Sequence, residues 1–313
     1  MPLIRGFMVC GTLALFTLAA FAQGSATLKS TPAWTLRVSP QKIVNGGPLL
    51  LSVTAPRAVE SLNGNWLGHE LVFDHASGRN WFALAGVSLE TKPGKYPLKL
   101  EGTNSAGENI RFERTLLVGV AKYPVVKLKL AVSKVFTEPN PEQQKVIKAD
   151  QEMKHDIFGR VSAEREWSGD FAPPVNAEVS DLFGTRRVFN GVTKSVHQGL
   201  DFRVGPSTPV SAVNHGTVIL ARPLYFEGNC VVIDHGRGLL SLYLHLSELK
   251  VKEGEQVERG TLVGLSGATG RATGPHLHLA VRWQGVYLNP AALLKLQLPD
   301  TESKSAATKN VVK

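Results

Sequence analysis

Short runs of alternating apolar and polar residues, broken by Gly, Pro and Asn, recur over most of the chain. This pattern permits short strands and leaves little room for helices. The 30 glycines and 18 prolines of the 313-residue sequence supply the turns that such strands need. An all-β chain in two parts is expected. In the first, Trp34 to Val38 alternates, Leu49 to Val53 follows Asn45-Gly46-Gly47, Tyr96 to Leu100 follows Pro93-Gly94, and Arg111 to Val120 closes the set. Strands at this spacing predict an immunoglobulin-like β-sandwich over residues 33–122. From Phe171 the pattern resumes: Val210, Val218 to Leu220, Val231 to Ile233, Leu239 to Leu244, Leu262-Val263 and His276 to Arg282 read as strands of a second domain, 171–298.

Three segments depart from this rule. Arg5 precedes an uncharged, mostly apolar run from Gly6 to Ala20, and Ala20-Phe21-Ala22 fits a small-x-small cleavage site, so residues 1–22 read as an export signal. The run is shorter than the roughly 18–20 residues needed to span a bilayer, and no later segment is apolar for long enough; an exported protein, periplasmic or secreted, is expected. The connector, 123–170, holds one alternating strand (Val126, Leu128, Leu130, Val132) and one helix. Asn140 as cap, Pro141 in the first turn and Gln143 as capping-box partner mark its start, and Val146, Ile147, Met153 and Ile157 keep helical spacing through Phe158. Residues 299–313, rich in Lys, Ser, Thr and Ala, read as a disordered tail.

The formal charge of +9 becomes +8 once Arg5 is removed. That balance favours anionic partners, and export argues against nucleic acid. With Cys10 in the export segment, Cys230 is left without an intrachain disulfide partner, and its neighbours Val231 to Ile233 make it a buried strand thiol.

The chemistry concentrates in four histidines and one aspartate. His197 and Asp201 are spaced HxxxD, and the flanks of Gly199 favour a strand, on which positions four apart share a face. His276 and His278 bracket Leu277, so strand alternation sets both imidazoles on one side. His245 ends the apolar run Tyr243-Leu244. Three protein ligands with one open position form a catalytic zinc site, and this group is large enough to leave two imidazoles for proton transfer. His69, His75, His155, His215 and His235 stand outside any such spacing.

These stretches, in this order, resemble the lysostaphin/LytM-type zinc endopeptidases of bacterial cell walls. The likeness covers residues 171–292. It rests on Phe183 to Arg187, His197 to Asp201 with Thr208 to Ala212, Gly216 to Val218, Tyr243 to Leu246, and Gly267-Ala268-Thr269-Gly270-Arg271-Ala272-Thr273-Gly274-Pro275-His276-Leu277-His278. The resemblance implies an antiparallel β peptidase domain, one Zn2+ held by His197, Asp201 and His278, and His245 and His276 flanking the attacking water. It implies hydrolysis of peptide cross-links in peptidoglycan. Two alternatives stay open: a catalytically silent wall-binding or amidase-activating protein of the same fold, and a secreted zinc peptidase acting on glycine-rich proteins. Some family members carry a tyrosine upstream of the first ligand as an oxyanion donor. Here Val188-Phe189-Asn190-Gly191 has none, so either the role is absent or Arg187 or Asn190 supplies the donor.

Overall fold

The computed structural model describes residues 33–127, 138–189 and 192–300. The expected export segment, Leu128, Leu130, Val132, Asn190 and the tail beyond residue 300 lie outside the described residues.

The N-terminal part contains β1 (Thr35–Ser39), β2 (Ile43–Val44), β3 (Pro48–Thr54), β4 (Ser61–Trp66), β5 (His69–Val72), β6 (Asp74–Ser77), β7 (Asn80–Gly86), β8 (Gly94–Thr103) and β9 (Asn109–Gly119). They form two sheets, ordered β1-β3-β7-β6 and β2-β9-β8-β4-β5. Leu51, Val53, Ala83 and Ala85 from one sheet and Leu62, Leu98, Leu100 and Val118 from the other are buried in one shared core. A two-layered β part was expected from the alternation, and the four strand segments anticipated there fall within β1, β3, β8 and β9 except for the end residues Trp34 and Val120.

The connector begins with β10 (Val125–Lys127) and continues into α1 (Pro141–Phe158). The capping box is present as expected: Asn140 Oδ1 accepts from Gln143 N at 2.9 Å, and Gln143 Oε1 accepts from Asn140 N at 2.8 Å. Val146 is half exposed, whereas Met153, Ile157 and Phe158 pack against Leu224, Leu242 and Ala280. The helix therefore lies on the face of a sheet rather than apart from it.

The C-terminal part holds β11 (Val179–Asp181), β12 (Arg186–Phe189), β13 (Val192–Val196), β14 (Gly199–Phe202), β15 (Pro209–Ser211), β16 (Gly216–Leu224), β17 (Gly228–Asp234) and β18 (Leu239–Leu246). It ends with β19 (Glu248–Leu249), β20 (Gln256–Val257), β21 (Leu262–Leu265), β22 (Leu277–Trp283), β23 (Val286–Leu288) and α2 (Pro290–Leu293). The main sheet runs β11-β14-β22-β18-β17-β16-β20, with β23 on β22. Two small sheets, β10-β12-β13 and β15-β21-β19, flank it. Its antiparallel ladders match the peptidase-domain architecture that the resemblance implies. Cys230 is buried in β17 and its thiol is pushed up by burial, which leaves it inert.

The two β parts share one continuous apolar core, and the described residues from Ala33 onward form one compact unit. Trp167 of the connector meets Phe82 with ring centroids 6.0 Å apart, Arg165 Nε pairs with Asp74 at 3.2 Å, and Asn289 N donates to Gly46 O at 2.8 Å. A Cβ on Gly86 would sit 2.6 Å from both terminal carbons of Leu288, which is fully buried. Gly86→Val is therefore expected to cost about 1–3 kcal/mol through overpacking. Circular dichroism and tryptophan fluorescence should report one melting transition, lowered in the variant. Two separate transitions, only one of them moved, would contradict the shared core.

Candidate metal centre and its cleft

Register alone assembles most of the site. Asp181 of β11 faces Asp201 of β14, Asp201 faces His278 of β22, and His278 faces Leu244 of β18. Directly opposed residues share a face of a sheet, so this row sets a carboxylate and an imidazole side by side. His278 Nδ1 lies 2.8 Å from Asp201 Oδ1. His197 arrives differently from the expected continuous strand. It occupies the break between β13 and β14, held there by its N–H on Thr185 O and its carbonyl on Gly184 N. At that break His197 Nε2 comes within 3.1 Å of both Asp201 Oδ1 and His278 Nδ1.

Gly199 makes room for this arrangement. A Cβ there would stand 2.3 Å from His278 Nε2 and 2.6 Å from Leu279 O. The ring of His278 occupies the space where any other residue would carry a side chain. The sequence reading treated Gly199 only as a strand-favouring flank; its steric role emerges when β14 and β22 are paired.

Three Lewis-basic atoms thus crowd one point. His197 Nδ1 is 3.0 Å from Leu182 O, an acceptor only, so Nδ1 carries the proton and Nε2 of the neutral ring presents a lone pair. That lone pair faces a carboxylate oxygen, also an acceptor, and a proton added to His197 turns the contact into a charge-assisted hydrogen bond. Burial alone would raise the Asp201 carboxyl, but hydrogen bonds and positive charge from His197 and His278 outweigh it and hold the group far below the usual carboxylate range. Burial likewise pulls His197 down, yet Asp201, the Leu182 carbonyl and Asp181 carry it above its ordinary value. His278 stays below its ordinary value because burial outweighs Asp201. A cation shared by all three atoms relieves this crowding. Tetrahedral zinc at about 2.0–2.1 Å from each ligand sets neighbouring ligand atoms about 3.3 Å apart. The observed separations of 2.8, 3.1 and 3.1 Å are close to that, and the donor set fits a divalent ion.

His245 and His276 stand beside this triad, with ring centroids 4.8 Å apart. His276 precedes β22, donates its backbone N–H to Gly267 O, and lies 3.9 Å from Asp201 Oδ1 through Nε2. The expected same-side placement of His276 and His278 holds. Simple alternation would send His245 to the face opposite Leu244. However, β18 gains one residue against β17 between the pairs Asn229–Leu246 and Val231–Tyr243, and His245 there has φ 62°. This bulge, with a non-glycine residue in left-handed conformation, turns the imidazole into the cleft. Two contacts hold it: His245 N on Glu227 O at 2.9 Å, and His245 Nδ1 on Thr269 O at 2.8 Å. His276 Nδ1 similarly donates to Gly274 O at 2.8 Å. In both rings the proton is therefore on Nδ1, and Nε2 is left as an acceptor. Burial, with the neighbouring His276, depresses His245 to about 4, so it is neutral at pH 7.

The five side chains line a cleft of about 610 Å³, within the size range of ligand sites. One wall carries Arg187, whose Nη2 donates to Asp181 Oδ2 at 2.8 Å. Of the two oxyanion donors considered from sequence, Arg187 reaches the cleft. The lining also includes Lys154 and Phe158 of α1 together with Phe226 and Glu227. The connector helix is thus a wall of the cleft, a place that its sequence alone did not reveal. Lys154 pairs with Glu227, and Asp150 Oδ2 accepts from Tyr225 N at 2.7 Å, fastening the helix to the loop that holds His245. The five histidines set aside from sequence take no part. His235 is wholly buried between His215 O and Ser241 Oγ, and His155 is exposed on α1.

Comparison with known proteins agrees with this geometry. The family model for peptidase family M23 matches residues 195–290, which include all five side chains. Peptidoglycan DD-endopeptidase ShyA of Vibrio cholerae is 42% identical over 134 residues, covering 42% of this chain and 30% of that protein. Peptidoglycan DD-endopeptidase ShyB of the same organism is 41% identical over 113 residues, covering 36% and 26%. The matched stretch thus spans less than a third of either relative. A crystal structure of a Pseudomonas aeruginosa protein assigned to peptidase M23 is 32% identical, with a TM-score of 0.62 over 81% of this chain and 95% of that one. With likeness over nearly the whole of that structure and the matched segment centred on the site, this chain belongs to peptidase family M23.

Proposed function

We propose that this protein is a zinc-dependent endopeptidase that hydrolyses peptide cross-links of bacterial peptidoglycan. The observation that carries the proposal is the convergence of His197, Asp201 and His278 on one point, with two further imidazoles beside it whose Nε2 atoms are acceptors. The DD-endopeptidase relatives point to D-alanyl cross-links as the bond class. The silent wall-binding alternative typically goes with loss of a ligand, and all five groups are present.

In this reading His197 Nε2, Asp201 Oδ1 and His278 Nδ1 hold the ion. Zinc bound there supplies a Lewis acid that polarises the scissile carbonyl and acidifies the attacking water. The Leu182 carbonyl fixes the tautomer of His197, and Asp181 backs it at 3.6 Å. Of the pair His245 and His276, one accepts the proton of the attacking water at Nε2. That ring, now an imidazolium, can return the proton to the leaving amine, and the other would hydrogen-bond the developing oxyanion when it is protonated at Nε2. The carbonyls of Thr269 and Gly274 hold the Nδ1 protons, which leaves Nε2 of each ring as the atom that gains or loses a proton. The cleft walls hold an extended peptide across the site.

We further read residues 1–22 as a removed export signal that delivers the enzyme to the periplasm or the exterior. Residues 33–122 form an immunoglobulin-like module, 123–170 a connector, and 171–298 the peptidase module. The separate sheets of the two β parts support that division.

Purified sacculi incubated with the zinc-loaded protein should release cross-link-cleaved muropeptides by mass spectrometry, and a chelator should stop the release. Cleavage of proteins alone, or none with zinc bound, would refute the proposal. His245→Asn, chosen because Asn tolerates a left-handed backbone, is expected to keep zinc and lose about 10²–10⁴-fold in kcat. Loss of zinc in that variant would contradict the division between ligands and proton-transfer groups. Gly199→Ala keeps every ligand but should displace the His278 ring, and zinc titration should show weakened binding. Unchanged affinity would show that the cradle is not needed.

A further inference from the structure

The cleft contains a cation that the hydrolytic chemistry does not use. Arg271 sits on the loop between β21 and β22, two residues after Thr269, whose carbonyl orients His245. Two residues span at most about 7 Å of chain, so the backbone of Arg271 lies close to the carbonyl that orients His245. It lines the same cleft as His245 and His276. Two contacts fix it: its backbone N–H donates to Phe226 O at 2.8 Å, and its guanidinium lies 4.8 Å above the Phe226 ring. A stacked guanidinium keeps its N–H edge available while losing little further rotamer freedom on binding. Arg187 of the same cleft differs, since a donor of its guanidinium is committed to Asp181. Among the described residues no carboxylate pairs with Arg271.

We propose that Arg271 is a specificity-determining residue that binds a free carboxylate on the amine side of the scissile bond. The inference rests on the endopeptidase reading above. In a cross-link between D-alanine and the side-chain amine of a diamino diacid, the carbon bonded to the scissile nitrogen also carries an unblocked carboxylate. An ordinary peptide has an amide at that position. A fixed guanidinium recognises a planar carboxylate through paired N–H donors. Discrimination by one such charge-assisted contact is expected to be about ten- to a hundredfold. Because the carboxylate is unchanged during hydrolysis, the loss should fall on KM more than on kcat.

The test uses the full-length, zinc-loaded protein and two cross-linked muropeptide dimers that differ only in that carboxyl group, free in one and amidated in the other. Wild type should cleave the free-acid dimer with a kcat/KM ten- to a hundredfold higher. Arg271→Gln should lose the preference, with the ratio of kcat/KM between the free-acid and amidated dimers falling to about one. Arg271→Lys should recover part of the preference. Equal cleavage of both dimers by wild type, or an equal fall on both in Arg271→Gln, would overturn the assignment. Cleavage of neither dimer by zinc-loaded wild type would instead overturn the endopeptidase reading, and this assignment with it.

Discussion

Two lone pairs facing each other govern this structure. His197 Nε2 and Asp201 Oδ1 are 3.1 Å apart with His278 Nδ1 beside both, and the Leu182 carbonyl claims the only proton that a neutral His197 carries. Such acceptors repel unless a cation lies among them. The surrounding fold enforces the approach. The register of β14 on β22 sets Asp201 opposite His278, Gly199 clears the space for the ring, and the break after β13 returns His197 to the same point. This donor set thus suits a divalent cation shared by the three side chains.

A second constraint acts through the backbone. His245 reaches the cleft only because an extra residue in β18 and a left-handed φ reverse its direction. Conformations of this kind persist only where neighbouring contacts over-determine them. Glu227 and Thr269 carbonyls supply those contacts, and α1 braces the Glu227 loop through Lys154 and Asp150. The connector thereby links the N-terminal part to His245. Trp167 and Arg165, packed on Phe82 and Asp74, extend the same link into the N-terminal sheets.

The legible parts of the sequence were those governed by local rules. Asn140-Pro141 with Gln143 announces the start of α1 because capping is local. His276 and His278 declare a common face because strand alternation is local. His197 and Asp201 converge as anticipated, but through a break between strands rather than along one. His245 stood out at the end of an apolar strand, but its direction was not legible, because the bulge that redirects it is set by pairing with β17, and histidine does not announce a positive φ. The cradle at Gly199 and the place of α1 as a wall depend on which strand or loop lies opposite. The single core joining both β parts likewise rests on contacts such as Gly86 with Leu288, far apart in the chain.

Anomalous diffraction at the zinc edge from crystals of the full-length protein addresses the centre of this account directly. It predicts one strong peak about 2.0–2.1 Å from each of His197 Nε2, Asp201 Oδ1 and His278 Nδ1, with His245 and His276 outside bonding distance. A peak ligated by His245 or His276 in place of one of the three, or no peak after zinc loading, would contradict it.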